Sequence, residues 1–318
     1  MNSLLVIGGS GFFGKSILDA YKRGLLETFS INKIYIFARN AEALKFTNPE
    51  LLCDSVVLVN GDITSCEEVP FAEFVIHAAT STDASKYINA PESEKKNILA
   101  GTLNFCKLAN LYLKESKILY VSSGAVYGAS SSEMLPFSEG DDFISAEKIP
   151  EAKRPYAVAK RDSETEIIKN GKRGLRVAIA RCFAFIGKYL PRDQHFAIGN
   201  FIQNGIDKQP ILINSKSRVY RSYMHADDLV FWLLTILSKA SSDCPIYNVG
   251  SSEAVEIRDL GVMISKYYSV DFVMQPLSNS PSDFYIPTIE KAERELGLSC
   301  SHGLLEVIEL TDRQINAT

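Results

Sequence analysis

Seven short apolar runs, most of them followed by a longer amphipathic stretch, constrain this chain more than any other feature. "LLVIGG" (Leu4–Gly9), "KIYIFA" (Lys33–Ala38), "SVVLVNGD" (Ser55–Asp62), "FVIHAA" (Phe74–Ala79) and "KILYVSS" (Lys117–Ser123) read as strands rich in β-branched residues. "LRVAIARC" (Leu175–Cys182) and "PIYNVG" (Pro245–Gly250) read as a sixth and a seventh. Alternation of such strands with helical patterns predicts an α/β fold, a doubly wound parallel sheet with helices on both faces. "LPRDQHFAIGNFIQNG" (Leu190–Gly205) and everything from Ser251 break the alternation. These pieces are expected to form a smaller C-terminal lobe: residues 1–181 plus about 218–250 would be the sheet domain, and about 182–217 plus 251–318 the lobe. The serine-rich stretch Gly128–Asp142 reads as a surface loop near the site.

At 318 residues and 46% hydrophobic content the chain can bury a substantial core. A net charge of −4 with interspersed signs speaks against nucleic acid or an anionic membrane as a general partner. The longest apolar run, Leu229–Leu237, is too short to span a bilayer, and "MNSLLVIGG" lacks the basic start of a secretory leader, so a cytoplasmic protein is expected. The six cysteines form no C-x-x-C pair; neither a metal site nor a disulfide framework is expected.

"GGSGFFG" places Gly8, Gly11 and Gly14 after the first strand and before a helix-compatible stretch. Glycines at this spacing suit either a bare strand-to-helix turn or a backbone cradle for a pyrophosphate at a helix N-terminus. Asp62 after the third strand, placed to accept from an adenine amino group, and "HAAT" (His77–Thr80) after the fourth favour the cradle and a Rossmann-type fold. His77 reads as a packed strand-end residue. The second strand ends on Ala38 and Arg39, where an acid would bond the ribose of NAD(H). Without that acid, and with Arg39, Asn40 and Ser10 able to hold a 2′-phosphate, NADP(H) is favoured over NAD(H); a merely solvated Arg39 is the alternative.

"YVSSGAVYG" (Tyr120–Gly128) and "YAVAK" (Tyr156–Lys160) carry the chemistry. Tyr156 and Lys160 share one helix face, and an adjacent ammonium lowers the proton affinity of a phenol that titrates near pH 10 in water. Ser123 would hold the reacting oxygen from its other side.

Together these motifs resemble the extended short-chain dehydrogenase/reductases of the nucleotide-sugar epimerase/dehydratase family. The likeness runs through "GGSGFFG", "GD", "HAA", "NILAGTLN", "VSSGAVYG", "YAVAK", "ARCFAFIG", "RSYMHADDL", "YNVG" and "KAERELGL". It implies Ser123 as the oxygen-binding hydroxyl, Tyr156 as proton donor or acceptor, and Lys160 as its modulator and a holder of the nicotinamide ribose. It also implies a dinucleotide lying along Gly8, Ser10, Gly11, Phe12, Phe13 and Gly14, then Arg39, Asn40, Asp62 and Ile63, then Ala78, Ala79, Thr80 and Asn97. The second lobe would bind the substrate through Gln194, His195 and Asn200, with Arg221 forked onto a diphosphate. Asp227 and Asp228 would organise the helix start that follows. His195 and His225 suit a purely structural role equally. The family also implies a homodimer through the stretch Glu94–Leu113 and the helix bearing Tyr156.

Two departures from the family pattern bear on the reaction. Ala184 stands where Arg-x-x-Asn-x-Tyr-Gly has asparagine, which leaves the sugar without one expected hydrogen bond. Gly124 and Ala125 follow Ser123 where dehydratases and decarboxylases place an acid, so elimination is disfavoured. The expected function is reduction of a nucleotide-linked 4-keto (deoxy)sugar by NADP(H); the runner-up is a nucleotide-sugar epimerase with tightly held NAD(P). A dinucleotide sensor without turnover would have no use for Ser123, Tyr156 and Lys160 together.

Overall fold

The computed structural model describes residues 2–80, 89–128, 134–194 and 196–317. His195 and part of the serine-rich stretch, residues 129–133, lie outside the described residues. Seven parallel strands form the main sheet: β1 (Asn2–Ile7), β2 (Ile31–Ala38), β3 (Val56–Asn60), β4 (Phe74–His77), β5 (Lys117–Ser123), β6 (Arg176–Cys182) and β7 (Ile246–Val249). Their order is β7-β6-β5-β4-β1-β2-β3, so the chain reverses its direction of travel between β1 and β4. Such a reversal opens a crevice beyond the carboxyl ends of the strands, where ligands of open α/β sheets bind.

Both faces of the sheet are apolar because alternate residues of each strand point to opposite cores. Leu4 and Val6 of β1 enter one cluster with helices α1 (Phe12–Lys22) and, later in the chain, Ala226–Ser238. Leu5 and Ile7 enter the other, against α2 (Pro91–Tyr112) and α3 (Arg154–Lys172). Pro91 opens α2 and Glu92 and Glu94 occupy its first turn, an arrangement suited to a helix start. Two polar pairs stitch α2 to α3: Thr102 Oγ1 to Ser163 Oγ at 3.0 Å and Asn110 Nδ2 to Asn170 Oδ1 at 2.7 Å.

A third core joins residues 186–223 to 255–308, with Ile198, Phe201 and Ile202 of α4 (Ala197–Ile206) packed toward Leu260 and Ile264 of a helix Ile257–Tyr268. Those helices meet closely: a Cβ on Gly205 would lie 2.2 Å from the Tyr268 ring. Beside them the strands Val255–Glu256, Val219–Arg221 and Asp283–Tyr285 form a small sheet in that order. The helix Glu290–Leu296 then returns to the large sheet, where Lys291 donates to the Ile246 carbonyl at 2.8 Å and Tyr247 to Glu295 at 3.0 Å. No helix among the described residues is long and apolar enough to cross a membrane.

Candidate active site

The turn after β1 has the shape of a cradle. Gly8 sits at φ +86°, and a Cβ there would lie 2.7 Å from the Ala79 backbone, while a Cβ on Gly14 would lie 2.0 Å from the Gly9 carbonyl oxygen. Neither position admits a side chain without moving backbone. Gly11 is different: a Cβ would make only a 3.5 Å contact. Gly11 caps α1 with no side-chain hydrogen bond, and no acidic residue occupies the first turn, so the positive end of the helix is left for an anion. Phe12, Phe13 and Phe185 lock the start of α1 through edge contacts, with centroids 5.7 Å apart for Phe12–Phe13 and for Phe13–Phe185. Ser10 is partly exposed beside them. The residues present therefore fit a dinucleotide pyrophosphate.

Around this cradle the remaining motif residues divide. Arg39 and Asn40 are exposed at the end of β2, and Arg39 makes no hydrogen bond or ion pair with any described residue. Asp62 spends one carboxylate oxygen on Thr64, accepting its N–H at 2.9 Å and its hydroxyl at 2.8 Å, which leaves the other oxygen for a ligand. Ile63 is buried, held by Asn104, which donates to its carbonyl at 3.0 Å. Asn97 is exposed on α2 and donates to Glu94 at 3.3 Å. Ala78, Ala79 and Thr80 close the crevice after β4, where the Ala79 N–H donates to His77 Nδ1 at 3.3 Å. His77 is a packed residue: its ring lies edge-on to Phe105 and Tyr120, and burial, with Lys160 assisting, pulls its pKa down to about 3.

Ser123, Tyr156 and Lys160 gather where β5 ends and α3 begins. Lys160 is 2% exposed, and its Nζ donates to Thr80 Oγ1 at 2.8 Å and to the Val121 carbonyl at 3.0 Å, with the Tyr120 hydroxyl at 3.5 Å. It also lies 5.9 Å from the centre of the Tyr156 ring. Burial holds the Lys160 pKa below that of a free lysine, while Tyr156, Cys182 and Glu164 act in the opposite direction. Ser123 Oγ accepts from the Ala125 N–H at 3.2 Å and faces the Tyr285 hydroxyl at 3.4 Å. The neighbouring Ser122 is committed elsewhere, donating to Glu164 at 2.5 Å inside the protein.

Glu164 opens a buried polar network that sequence reasoning missed. Arg181 donates to its carboxylate through Nε at 3.1 Å and Nη2 at 2.8 Å, and to the Tyr127 hydroxyl through Nη1 at 3.0 Å. Tyr127 in turn donates to Asn248 Oδ1 at 2.8 Å. Asn248 ends the chain of bonds by donating to the carbonyls of Phe137 at 2.9 Å and Thr288 at 3.3 Å. Register explains the alignment: Arg181 is paired with Ser122 on one side and Asn248 on the other, so three strands present these side chains on one rung. Burial pushes the Tyr127 phenol up to about 12, so it remains a donor at neutral pH.

The strand Asp283–Tyr285 brings Tyr285 over Ser123. Parallel pairing sets Tyr285 opposite Arg221, whose guanidinium lies 5.6 Å from the centre of that ring. Arg221 is already engaged, donating to the Tyr220 carbonyl at 2.7 Å and to Asp283 Oδ2 at 2.9 Å; Lys153 reaches the same oxygen at 3.0 Å. Arg221, Lys153 and their hydrogen bonds hold the Asp283 carboxyl below the usual range against its burial. Asn200 donates to the Gln194 carbonyl at 2.7 Å, while Gln194 Oε1 and Asn200 Oδ1 are buried without a hydrogen-bond partner among the described residues. Asn200 also lines a cleft of about 490 Å³ between α4 and the strand Ile211–Ile213, with Phe201, Asn204, Leu212, Asn214 and Ser215. His225 is fully buried and caps the helix Ala226–Ser238 by accepting from the Asp227 N–H at 3.1 Å. Asp228 accepts from Ser301 at 2.6 Å and 2.9 Å, and Asp227 pairs with Arg23. All six cysteines are free, and no group of three or more metal-ligating side chains occurs among the described residues.

Comparison with known proteins agrees with this architecture. Residues 4–250 match the NAD dependent epimerase/dehydratase family. UDP-glucuronate 4-epimerase 3 of Arabidopsis thaliana is 27% identical over 329 residues, covering 93% of this chain and 72% of the relative. GDP-6-deoxy-D-mannose reductase of Pseudomonas aeruginosa is 28% identical over 211 residues, covering 64% of this chain and 65% of the relative. The crystal structure of dTDP-glucose 4,6-dehydratase from Bacillus anthracis in complex with NAD has the same fold, with a TM-score of 0.79 at 16% identity over 100% of this chain and 97% of that one. With a glycine cradle at the reversal of its parallel sheet and a family match across most of its length, the chain belongs to the NAD dependent epimerase/dehydratase family.

Proposed function

We propose that the protein is an NADP(H)-dependent reductase of a nucleotide-linked 4-keto deoxysugar. The observation that carries this reading over the others is the exposed Arg39, without a partner among the described residues, following Ala38 at the end of β2. With no carboxylate to accept from a ribose hydroxyl, that strand end favours a 2′-phosphate, and a cofactor consumed in each turnover suits a reductase. Gly8, Gly11 and Gly14 would hold the pyrophosphate, Arg39 and Asn40 the 2′-phosphate, and Lys160 the ribose on the nicotinamide side. When bound, the nicotinamide supplies the hydride.

This chain's own residues do the rest. Ser123 holds the substrate oxygen, and Tyr156 gives it a proton. Lys160, whose Nζ donates to three oxygen acceptors, would as a cation favour the resulting phenolate. Asn200 and its cleft suit the nucleotide, and Arg221 suits the diphosphate once it exchanges Asp283 for phosphate oxygens. Ser122 is committed to Glu164 whereas Ser123 faces the Tyr285 hydroxyl, which supports the choice between the two serines. The second reading, an epimerase with retained NAD(P), is favoured by the glucuronate epimerases that align over 93% of the chain.

The test is purified protein with NADPH and a panel of UDP-, dTDP- and GDP-linked 4-keto-6-deoxyhexoses, followed at the absorbance of the reduced nicotinamide. Oxidation of NADPH that Tyr156→Phe abolishes, with NADPH affinity retained, is expected. Isomerisation of a hexose nucleotide without net cofactor consumption would transfer the assignment to the epimerase.

A further inference from the structure

We propose a second ligand site, outside the dinucleotide crevice, that takes a phosphorylated sugar and through it regulates the nucleotide cleft. The site is a cleft of about 460 Å³ between α1, the turn at Thr47 and Asn48, and the segment from Lys188 to Asp193. Neither the glycine cradle, nor Arg39 and Asn40, nor Ser123, Tyr156 and Lys160 line it.

Three cations converge there without matching anions. The ammonium groups of Lys15 and Lys188 make no hydrogen bond or ion pair with any described residue, and Lys188 lies 5.3 Å from the centre of the Tyr189 ring. Arg192 donates from Nε to Gln203 and from Nη1 to the Lys188 carbonyl, both at 2.8 Å, which leaves Nη2 without a partner among the described residues. Burial holds the Lys15 pKa below that of a free lysine, with Glu50 acting in the opposite direction; the Glu50 carboxylate accepts from the Asn48 amide at 3.1 Å. A half-buried cation with no partner has lost water without compensation, and a phosphate group restores charge-assisted hydrogen bonds. The segment is built in advance of a ligand: the Leu190 N–H donates to the Gly187 carbonyl at 3.0 Å, and the Tyr189 hydroxyl to Asp19 of α1 at 3.4 Å.

The remaining polar groups of the lining call for donors. Asp193 is exposed and makes no ion pair with any described residue, although it follows Arg192. Thr47 Oγ1 donates to the Ala43 carbonyl at 3.1 Å and can still accept, and Asn48 Oδ1 has no partner among the described residues. A ligand that joins one phosphate to several hydroxyls satisfies both sets, whereas a second phosphate would meet the Asp193 carboxylate. The volume suits a small metabolite better than a lone ion.

Arg192 and Asp193 also line the Asn200 cleft, so the two clefts share a wall. The single uncommitted guanidinium nitrogen cannot serve an anion on each side. Occupancy of one cleft therefore weakens binding in the other, by the same factor in both directions. This coupling rests on reading the Asn200 cleft as the nucleotide's; the site itself does not.

The experiment is calorimetric titration of the protein saturated with NADPH or NADH, whichever it binds more tightly. The probes are glucose 6-phosphate, inorganic phosphate and glucose, each with and without UDP, dTDP or GDP. A phosphate on C6 is no fragment of a nucleotide sugar, whose phosphate is on C1. Glucose 6-phosphate is expected to bind, inorganic phosphate about tenfold more weakly, and glucose not measurably. Lys15→Gln and Lys188→Gln should each weaken the sugar phosphate about tenfold, as loss of a charge-assisted hydrogen bond does, and Lys188→Gln should leave dinucleotide affinity unchanged. A nucleotide diphosphate should weaken it severalfold and then no further. No binding at millimolar concentration, indifference to both lysine variants, or displacement without limit by the nucleotide diphosphate would overturn the site, and equal affinity for inorganic phosphate would overturn its ligand class. Both ligands binding without mutual effect would overturn the coupling. Failure of every nucleotide diphosphate to bind would remove the nucleotide reading and the coupling, while the lysine variants would still decide the site.

Discussion

Replacing Glu164 with glutamine should destabilise the fold more than any other single isosteric change near the site. The Glu164 and Arg181 side chains are 3% and 6% exposed, and the carboxylate accepts from Ser122 as well as from two guanidinium nitrogens. The Glu164→Gln amide would keep the shape but leave a buried guanidinium without its counter-charge, a loss of about 3–5 kcal/mol for pairs of this kind. The amide oxygen can still accept one bond, so the lower end of that range applies. Trp232 is the chain's single tryptophan and is fully buried in the large core, so its fluorescence reports unfolding directly. In urea the midpoint should fall by roughly 1 M or more, given slopes of about 3 kcal/mol per molar for a chain of this size. Replacing both partners, Glu164→Leu with Arg181→Met, should recover much of the loss, because an apolar pair carries no uncompensated charge. A single-variant loss below about 1 kcal/mol, in the range typical of exposed pairs, would refute the reasoning.

Arg39→Ala should weaken NADPH binding about tenfold or more, as loss of a charge-assisted hydrogen bond does, and leave NADH almost untouched; titrations of both cofactors at two ionic strengths check this, and equal losses would make Arg39 a strand-end support. His77 is held neutral in the fold, with its pKa near 3, whereas the unfolded chain protonates it at about 6.5. Its depressed pKa therefore contributes stability that is complete above pH 6.5 and is lost as pH falls toward 3. The urea midpoint of the wild type should fall relative to that of His77→Phe between pH 7 and pH 4, and a constant difference would count against it. We also propose a homodimer through α2 and α3, since Leu103 and Leu111 of α2 are 47% and 59% exposed; light scattering that gives a monomer at micromolar concentration removes the proposal.

The seven strands of the main sheet were legible because each is apolar on both faces, and a run such as Val177–Cys182 admits few other placements. The glycine cradle was legible in spacing, although steric need separates Gly8 and Gly14 from Gly11 only in three dimensions. Tyr285 was not legible. Its strand is three residues long and reaches Ser123 only because it pairs with Val219–Arg221, a contact set by tertiary packing rather than local pattern. The Glu164–Arg181 pair was hidden for a related reason: both lie in amphipathic or apolar runs where a charge usually faces water, and only packing of α3 on the sheet brings Glu164 to Arg181, which the rung of β5, β6 and β7 holds beside Ser122 and Asn248. Arg221 was anticipated as a phosphate fork, but its engagement with Asp283 joins residues 62 positions apart.

Lys160 has a consequence for how such a site can be improved. Among the described residues its Nζ donates only to neutral oxygens, from Thr80, Val121 and Tyr120, and its lowered pKa records the unfavourable transfer of an ammonium from water. Folding therefore installs a charge that the rest of the core must support before any ligand arrives. Selection for heat tolerance alone would replace it with an apolar side chain of similar length, and Lys160→Met should melt at a higher temperature than the wild type while losing turnover. Robustness and activity are opposed at this position, and a stabilised variant that remains active must gain its stability elsewhere in the sheet.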